Sequence, residues 1–177
     1  MIDRVAAALA PAVSELVVVS NAPDAAGWLP GVRVIRDELA GGGSAAGVHA
    51  AAAASPRGAV VVGWDLPFVT TALVELLVER ARAAPADAVV PAGARAGELE
   101  PLCAWYAPRA AVAIAAAWPS GERSLHALLR RVSAHVVSRA EVAAVGDPTR
   151  LFANVNTAGD LADARRLAGG DAAPATA

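Results

Sequence analysis

Gly58-Ala59-Val60-Val61-Val62-Gly63 is a short β-branched run closed at both ends by glycine, followed at once by Trp64-Asp65-Leu66-Pro67-Phe68. An apolar run without polar alternation reads as a strand buried on both faces, as at the centre of a parallel sheet. Pro67 cannot donate to a ladder, so the strand ends near Asp65. Strands of this kind restrict a chain to layered α/β architectures, whose ligands bind outside the carboxyl ends of the strands. Two roles fit an aspartate there. It caps the next helix, or it holds a hard cation such as Mg²⁺ against substrate phosphates.

The rest of the chain supplies the layers. Ile2, Val5, Leu9, Val13 and Leu16 recur at helical spacing, which predicts an opening amphipathic helix. Further strands are expected at 16–19, 32–35, 87–91, 101–106 and 134–138. Helices are expected at 44–54, from Thr70 to about Arg82 with Thr70 or Thr71 as cap, at 109–117 and at 124–131. Thr157 is expected to cap a closing helix with Leu161, Ala164 and Leu167 on one face. This alternation predicts a three-layer α/β/α domain around a doubly wound, mostly parallel sheet. One domain spans 1–168, and 169–177 is a small-residue tail expected to be disordered. Such a sheet ordinarily begins with a strand, whereas this sequence begins with a helix.

The cluster Gly41-Gly42-Gly43-Ser44-Ala45-Ala46-Gly47 precedes the alanine-rich helix, so its amides can face an anion. It is not a Walker A loop, because Val48 stands where that loop needs lysine. Gly41-x-Gly43-x-x-Ala46 fits a loose dinucleotide fingerprint, the basis of an oxidoreductase reading. Five residues separate it from Ile35, however, and the fingerprint needs a tight strand-to-helix turn. Flexible glycines entering an alanine helix explain the cluster equally well.

Composition excludes several classes. All 15 basic residues are arginine, balanced against 17 acidic ones, so no polyanion-binding surface is indicated and no nucleic-acid partner is expected. Cys103 is the only cysteine, which rules out an intrachain disulfide and fits a reducing cytoplasm. No apolar run reaches the length of a membrane span. The apolar N-terminus holds Asp3 and Glu15 and does not read as a signal peptide. His49, His126 and His135 show no ligand spacing.

Seven segments, in order, resemble the molybdenum cofactor guanylyltransferases and their nucleotidyltransferase relatives. Val17-Val18-Val19-Ser20-Asn21 resembles the family's second strand, and Val34-Ile35-Arg36-Asp37 its "V-I-x-D" element. Gly43-Ser44-Ala45-Ala46-Gly47 is similar to "G-P-L-A-G", with Ser44-Ala45 in place of Pro-Leu. Gly63-Trp64-Asp65-Leu66-Pro67-Phe68 resembles "x-C-D-M-P-F", with Trp64 in place of a small residue. Pro101 to Tyr106 is similar to "P-L-x-A-x-Y", Gly121 to Leu125 to "G-x-R-S-L", and Phe152 to Leu161 to "F-x-N-I-N-T-P-E-D-L".

The resemblance implies transfer of GMP from GTP to molybdopterin, with Mg²⁺ as cofactor and pyrophosphate as the second product. It implies Asp65 as the Mg²⁺ ligand and catalytic carboxylate. Asn21, Asp37 and Gly47, together with Asp65, would form the nucleotide site, and Arg123, Asn154 and Asn156 would meet molybdopterin. Each has a plainer reading: a turn asparagine before Pro23, a solvated loop acid, an arginine at a helix start, asparagines in a turn before a capped helix. Asn154 and Asn156 bracket Val155, so in an extended segment they point the same way. Trp105 and Tyr106 read as core. Partners implied are the two substrates, with molybdoenzymes or other cofactor-biosynthesis proteins beyond them.

The family's opening strand and its loop of the type "L-A-G-G-x-S-x-R-M-G-x-D-K" have no counterpart in this sequence, because Ile2-Asp3-Arg4-Val5 aligns with the helix after that loop. Without that loop's lysine and arginine the chain is expected to be impaired. A non-catalytic nucleotide- or pterin-binding relative, or a cytidylyltransferase-type relative, is the alternative.

Overall fold

The structure, a computed structural model, describes residues 1–83, 85–157, 159, 160, 162 and 164. Helix α1 (Ile2–Leu9) ends in a 3-10 turn over Ala10–Ala12, where Pro11 stops the helix that the apolar spacing carried on to Leu16. Strands β1 (Val17–Val19) and β2 (Arg33–Ile35) follow, then helix α2 (Ser44–Ala54), strand β3 (Ala59–Val62) and helix α3 (Thr71–Ala83). Next come β4 (Ala88–Pro91), β5 (Cys103–Tyr106), α4 (Pro108–Ala117), α5 (Leu125–Leu129) and β6 (Ala134–Val137).

Two short helices complete the described elements, α6 (Arg139–Val145) and α7 (Pro148–Leu151). Neither was expected from hydrophobic periodicity. A capping box starts α6: Ser138 accepts from Glu141 N, and Glu141 accepts from Ser138 N. Asp147 caps α7 by accepting from Thr149 N, with Pro148 at its first position. Of the two threonines before α3, Thr70 caps it by accepting from Leu73 N, while Thr71 donates to Ala8 O and ties α3 to α1. Thr157 Oγ1 accepts from Asp160 N as a helix cap does. The closing helix expected beyond it, with Leu161 and Leu167, falls largely outside the described residues, as does the 169–177 tail.

The three layers are present. Strand residues alternate between two cores. Val61, Ala88, Val90, Ala104 and Tyr106 face α2, α4 and α5. Val60, Val62, Val89, Cys103, Trp105 and Val137 face α1, α3 and α6. Small residues on α2 (Ala45, Ala46, Ala52) and α4 (Ala110, Ala111, Ala117) let those helices pack closely.

The strands form two sheets. One pairs β1 with β2 in parallel; the other has the order β3-β5-β4-β6. In the second, β4 and β6 are parallel, whereas β5 runs against both neighbours, with Val62 opposite Cys103 and Val89 opposite Trp105. So β5 is the returning strand of a hairpin. Helix α2 packs against both β1 and β3, each of which has one unpaired edge. All four residues of β3 remain partly exposed despite being apolar. One helix thus packs against an edge strand of each sheet.

Candidate functional site

Strands β1 and β2 are parallel and in register, which puts their carboxyl ends on one rim. Asn21, Asp37 and the glycine turn follow those ends, and Asp65 follows β3. Asn21 follows β1, and its Nδ2 donates to Asp37 O at 3.3 Å, while Ser20 N donates to Ile35 O. Asp37 follows β2, and a Cβ at Gly42 would stand 4.0 Å from its Oδ1. Gly41, Gly42 and Gly43 all have positive φ, the conformation that makes this turn a glycine turn. Gly43 then N-caps α2 without a side-chain bond, so the first amides of α2 have no capping oxygen. Gly47 lies in that first turn with its Cα toward Val19 of β1; its glycine lets the helix approach the strand.

Arg123, which the resemblance groups with Asn154 and Asn156, lies beside this glycine turn. Its guanidinium stacks on Trp118 at 3.6 Å from the ring centroid, and Nη1 donates to Trp118 O and Glu122 O. A Cβ at Gly41 would lie 3.9 Å from its Nε. Trp118 in turn donates from Nε1 to Ala40 O at 2.9 Å. Nothing in local sequence pattern marks this contact, since 78 residues separate the two partners.

The second group surrounds Asp65. Its carbonyl accepts from Val155 N at 2.9 Å, which docks the 153–157 segment on the end of β3. Val155 is buried with Phe68, and Asn154 and Asn156 on either side of it are exposed. The Asp65 carboxylate folds back over Gly63, where a Cβ would overlap Oδ1. It has no hydrogen-bond partner among the described residues. It is not the cap of α3, a role that Thr70 takes. Among the described residues no group of three or more His, Cys, Asp or Glu is placed to hold a metal. What the residues fit is a cation bound by one carboxylate and otherwise by substrate oxygens and water, the usual mode of Mg²⁺ at phosphates.

A further acid, Glu100, stands where β4 ends and β5 begins, its amide donating to Pro91 O. Burial, and then the neighbouring Glu98, push its carboxyl up to about 7. A Cβ at Gly93 would come within 2.8 Å of its Oε1. Cys103 is fully buried and its thiol is pushed up to about 12 by desolvation, so it is inert packing. Tyr106 is core as expected, its hydroxyl donating to Pro101 O. The hollow bounded by Ala10, Leu16, Gly31 and Arg33 lies at the amino ends of β1 and β2, away from this rim.

Comparison with known proteins bears on the family and the fold. The model of the MobA-like NTP transferase domain matches residues 1–139. A probable molybdenum cofactor guanylyltransferase of Pelotomaculum thermopropionicum is 34% identical over 170 residues, covering 95% of this chain and 80% of the relative. One from Chloroflexus aggregans is 33% identical over 168 residues, covering 91% and 77%. The crystal structure of molybdopterin-guanine dinucleotide biosynthesis protein A from Archaeoglobus fulgidus superposes with a TM-score of 0.81 at 29% identity. That match covers 96% of this chain and 85% of the other.

Proposed function

The chain belongs to the MobA-like NTP transferase family, and from that premise we propose that its reaction is transfer of GMP from GTP to molybdopterin. The terminal phosphate oxygen of the pterin attacks the α-phosphorus of GTP. A P–O bond forms, the bond to the β-phosphate oxygen breaks, and pyrophosphate leaves with the electron pair. Such chemistry rests on positioning and charge neutralisation. Asn21 and Asp37 hold the nucleoside: the amide donates and accepts, and the carboxylate accepts from guanine N–H groups. Asp65 would hold Mg²⁺, which when bound neutralises phosphate charge. Asn154 and Asn156 grip the pterin, and Arg123 supplies guanidinium donors for phosphate oxygens.

The observation that carries this reading is the convergence of Asn21, Asp37 and the glycine turn at the ends of β1 and β2. In residues 1–177 the turnover is impaired. Strands β1 and β3 each keep an unpaired edge, and the sequence contains no lysine to meet a triphosphate. The test is to titrate GTP and molybdopterin separately, then incubate both with Mg²⁺ and quantify dinucleotide by mass spectrometry. Both ligands should bind while dinucleotide stays near background. Failure to bind guanine nucleotide overturns the chemistry. Brisk turnover that disappears in Asp65→Ala overturns only the impairment. Equal binding of CTP favours a cytidylyltransferase.

A further inference from the structure

We propose that Trp118 is a positioning residue for the nucleotide: through the carbonyl of Ala40 it fixes the glycine turn against which Asp37 and Asn21 work. This rests on the reading that GTP binds at that turn. Trp118 stands at the end of α4 and is 9% exposed, inside the core cluster that includes Ala45 and Ala46 of α2. Its ring is therefore anchored by packing. Its one polar atom is used outward, Nε1 donating to Ala40 O at 2.9 Å. Ala40 opens a segment with three successive glycines at φ of 93°, 57° and 86°. Glycines sample such values as freely as others, so a turn of three has little conformational preference of its own. Few contacts hold it from outside. Gly42 N donates to Leu39 O, the indole holds Ala40, and Arg123, stacked on that indole, lies beside Gly41.

The consequence reaches the site residues in two steps. Gly42 lies beside Asp37 Oδ1, and Asp37 O accepts from Asn21 Nδ2. A turn that wanders changes the space beside the Asp37 carboxylate, which a Cβ at Gly42 would approach to 4.0 Å. Freezing a mobile loop on binding lowers affinity, and pre-setting it removes that cost. Trp118 thus acts on nucleotide affinity without touching nucleotide. The 153–157 segment is held instead by Asp65 O and Val155, and a substitution that keeps the ring on which Arg123 stacks leaves the pterin contacts in place.

The experiment compares Trp118→Phe, which keeps the ring and deletes the N–H, with Gly41→Ala, which disturbs the turn from its own side. GTP with Mg²⁺ and molybdopterin are titrated separately by calorimetry into each folded variant and into their double mutant. Loss of one hydrogen bond predicts a GTP Kd raised about 3- to 10-fold in Trp118→Phe. Gly41→Ala should show the same nucleotide-specific defect, and the double mutant should fall short of the product of the two, because both act through one turn. Molybdopterin affinity should stay within about twofold of wild type. Unchanged GTP affinity in the variants, or equal weakening toward both ligands, overturns the proposal. Gly41→Ala decides alone if Trp118→Phe does not fold. A wild-type chain that binds no GTP overturns the nucleotide reading first.

Discussion

Gly63 and Asp65 are so close that a Cβ at position 63 would overlap Asp65 Oδ1. Glycine at 63 thus leaves the carboxylate its place over the end of β3, beside the Asp65 carbonyl that accepts from Val155 N and receives the 153–157 segment. Gly63→Ala should displace the carboxylate and reproduce the defect of Asp65→Asn. In both variants, Mg²⁺ should no longer raise GTP affinity, as measured by titration with Mg²⁺ and with chelator. A Gly63→Ala protein with the full Mg²⁺ effect would show that the carboxylate's place is not set by this contact.

Glu100 gives the fold a pH dependence of definite sign. Its carboxyl sits at about 7 against an ordinary 4.5 because burial, then Glu98, disfavour the charged form. The folded state therefore holds that proton where the unfolded chain has lost it, and stability falls as pH rises from about 4.5 through about 7. Glu100→Gln should flatten that decline, gaining on wild type progressively across the window. Urea midpoints at pH 5, 6, 7 and 8 measure it; parallel curves would contradict it.

Glu141 has the opposite sign. Its bond from Ser138, together with that from Arg80, holds its carboxyl down at about 2. The stability this brings is present above about 4.5 and is lost as pH falls toward 2. At neutral pH, Ser138→Ala should cost about 0.5–2 kcal/mol, the usual range for losing an N-cap. Chemical denaturation checks it, and no loss would mean that α6 is held by packing alone, through Val142.

The capping box also shows what was legible in the sequence and what was passed over. Ser138-x-x-Glu141 and Asp147-Pro148 are ordinary helix starts, yet α6 and α7 are too short for apolar periodicity to announce them. Helix α2 was readable because glycines and Ser44 mark its start and alanine favours helix throughout. The strands were readable from their valine runs, but their pairing was not: that β5 runs antiparallel between β3 and β4 depends on contacts some 40 residues apart. In the site, Asp65 followed from a strand end, whereas Asn21 and Asp37 were singled out only through the family resemblance. The place of Arg123 beside the glycine turn was not legible, because it depends on Trp118 reaching Ala40 across the α2–α4 interface.

The unpaired edges of β1 and β3 lead to a prediction about the chain in solution. Unpaired strand edges beside apolar side chains recruit other strands. Sedimentation velocity over a range of concentrations should show reversible association of the 177-residue chain. A monomer at every concentration, unfolding cooperatively, would contradict an accessible edge.

The account's central claim is that a guanine nucleotide is held at the ends of β1 and β2 by Asn21 and Asp37. The most direct test is the affinity of the chain for GTP against ATP, in wild type and in Asp37→Asn. The predicted result is a preference for GTP of about tenfold or more, on the order of one well-made charged hydrogen bond, which collapses in the variant while ATP binding is unchanged. Equal affinity for the two nucleotides, or a preference that survives Asp37→Asn, would contradict it.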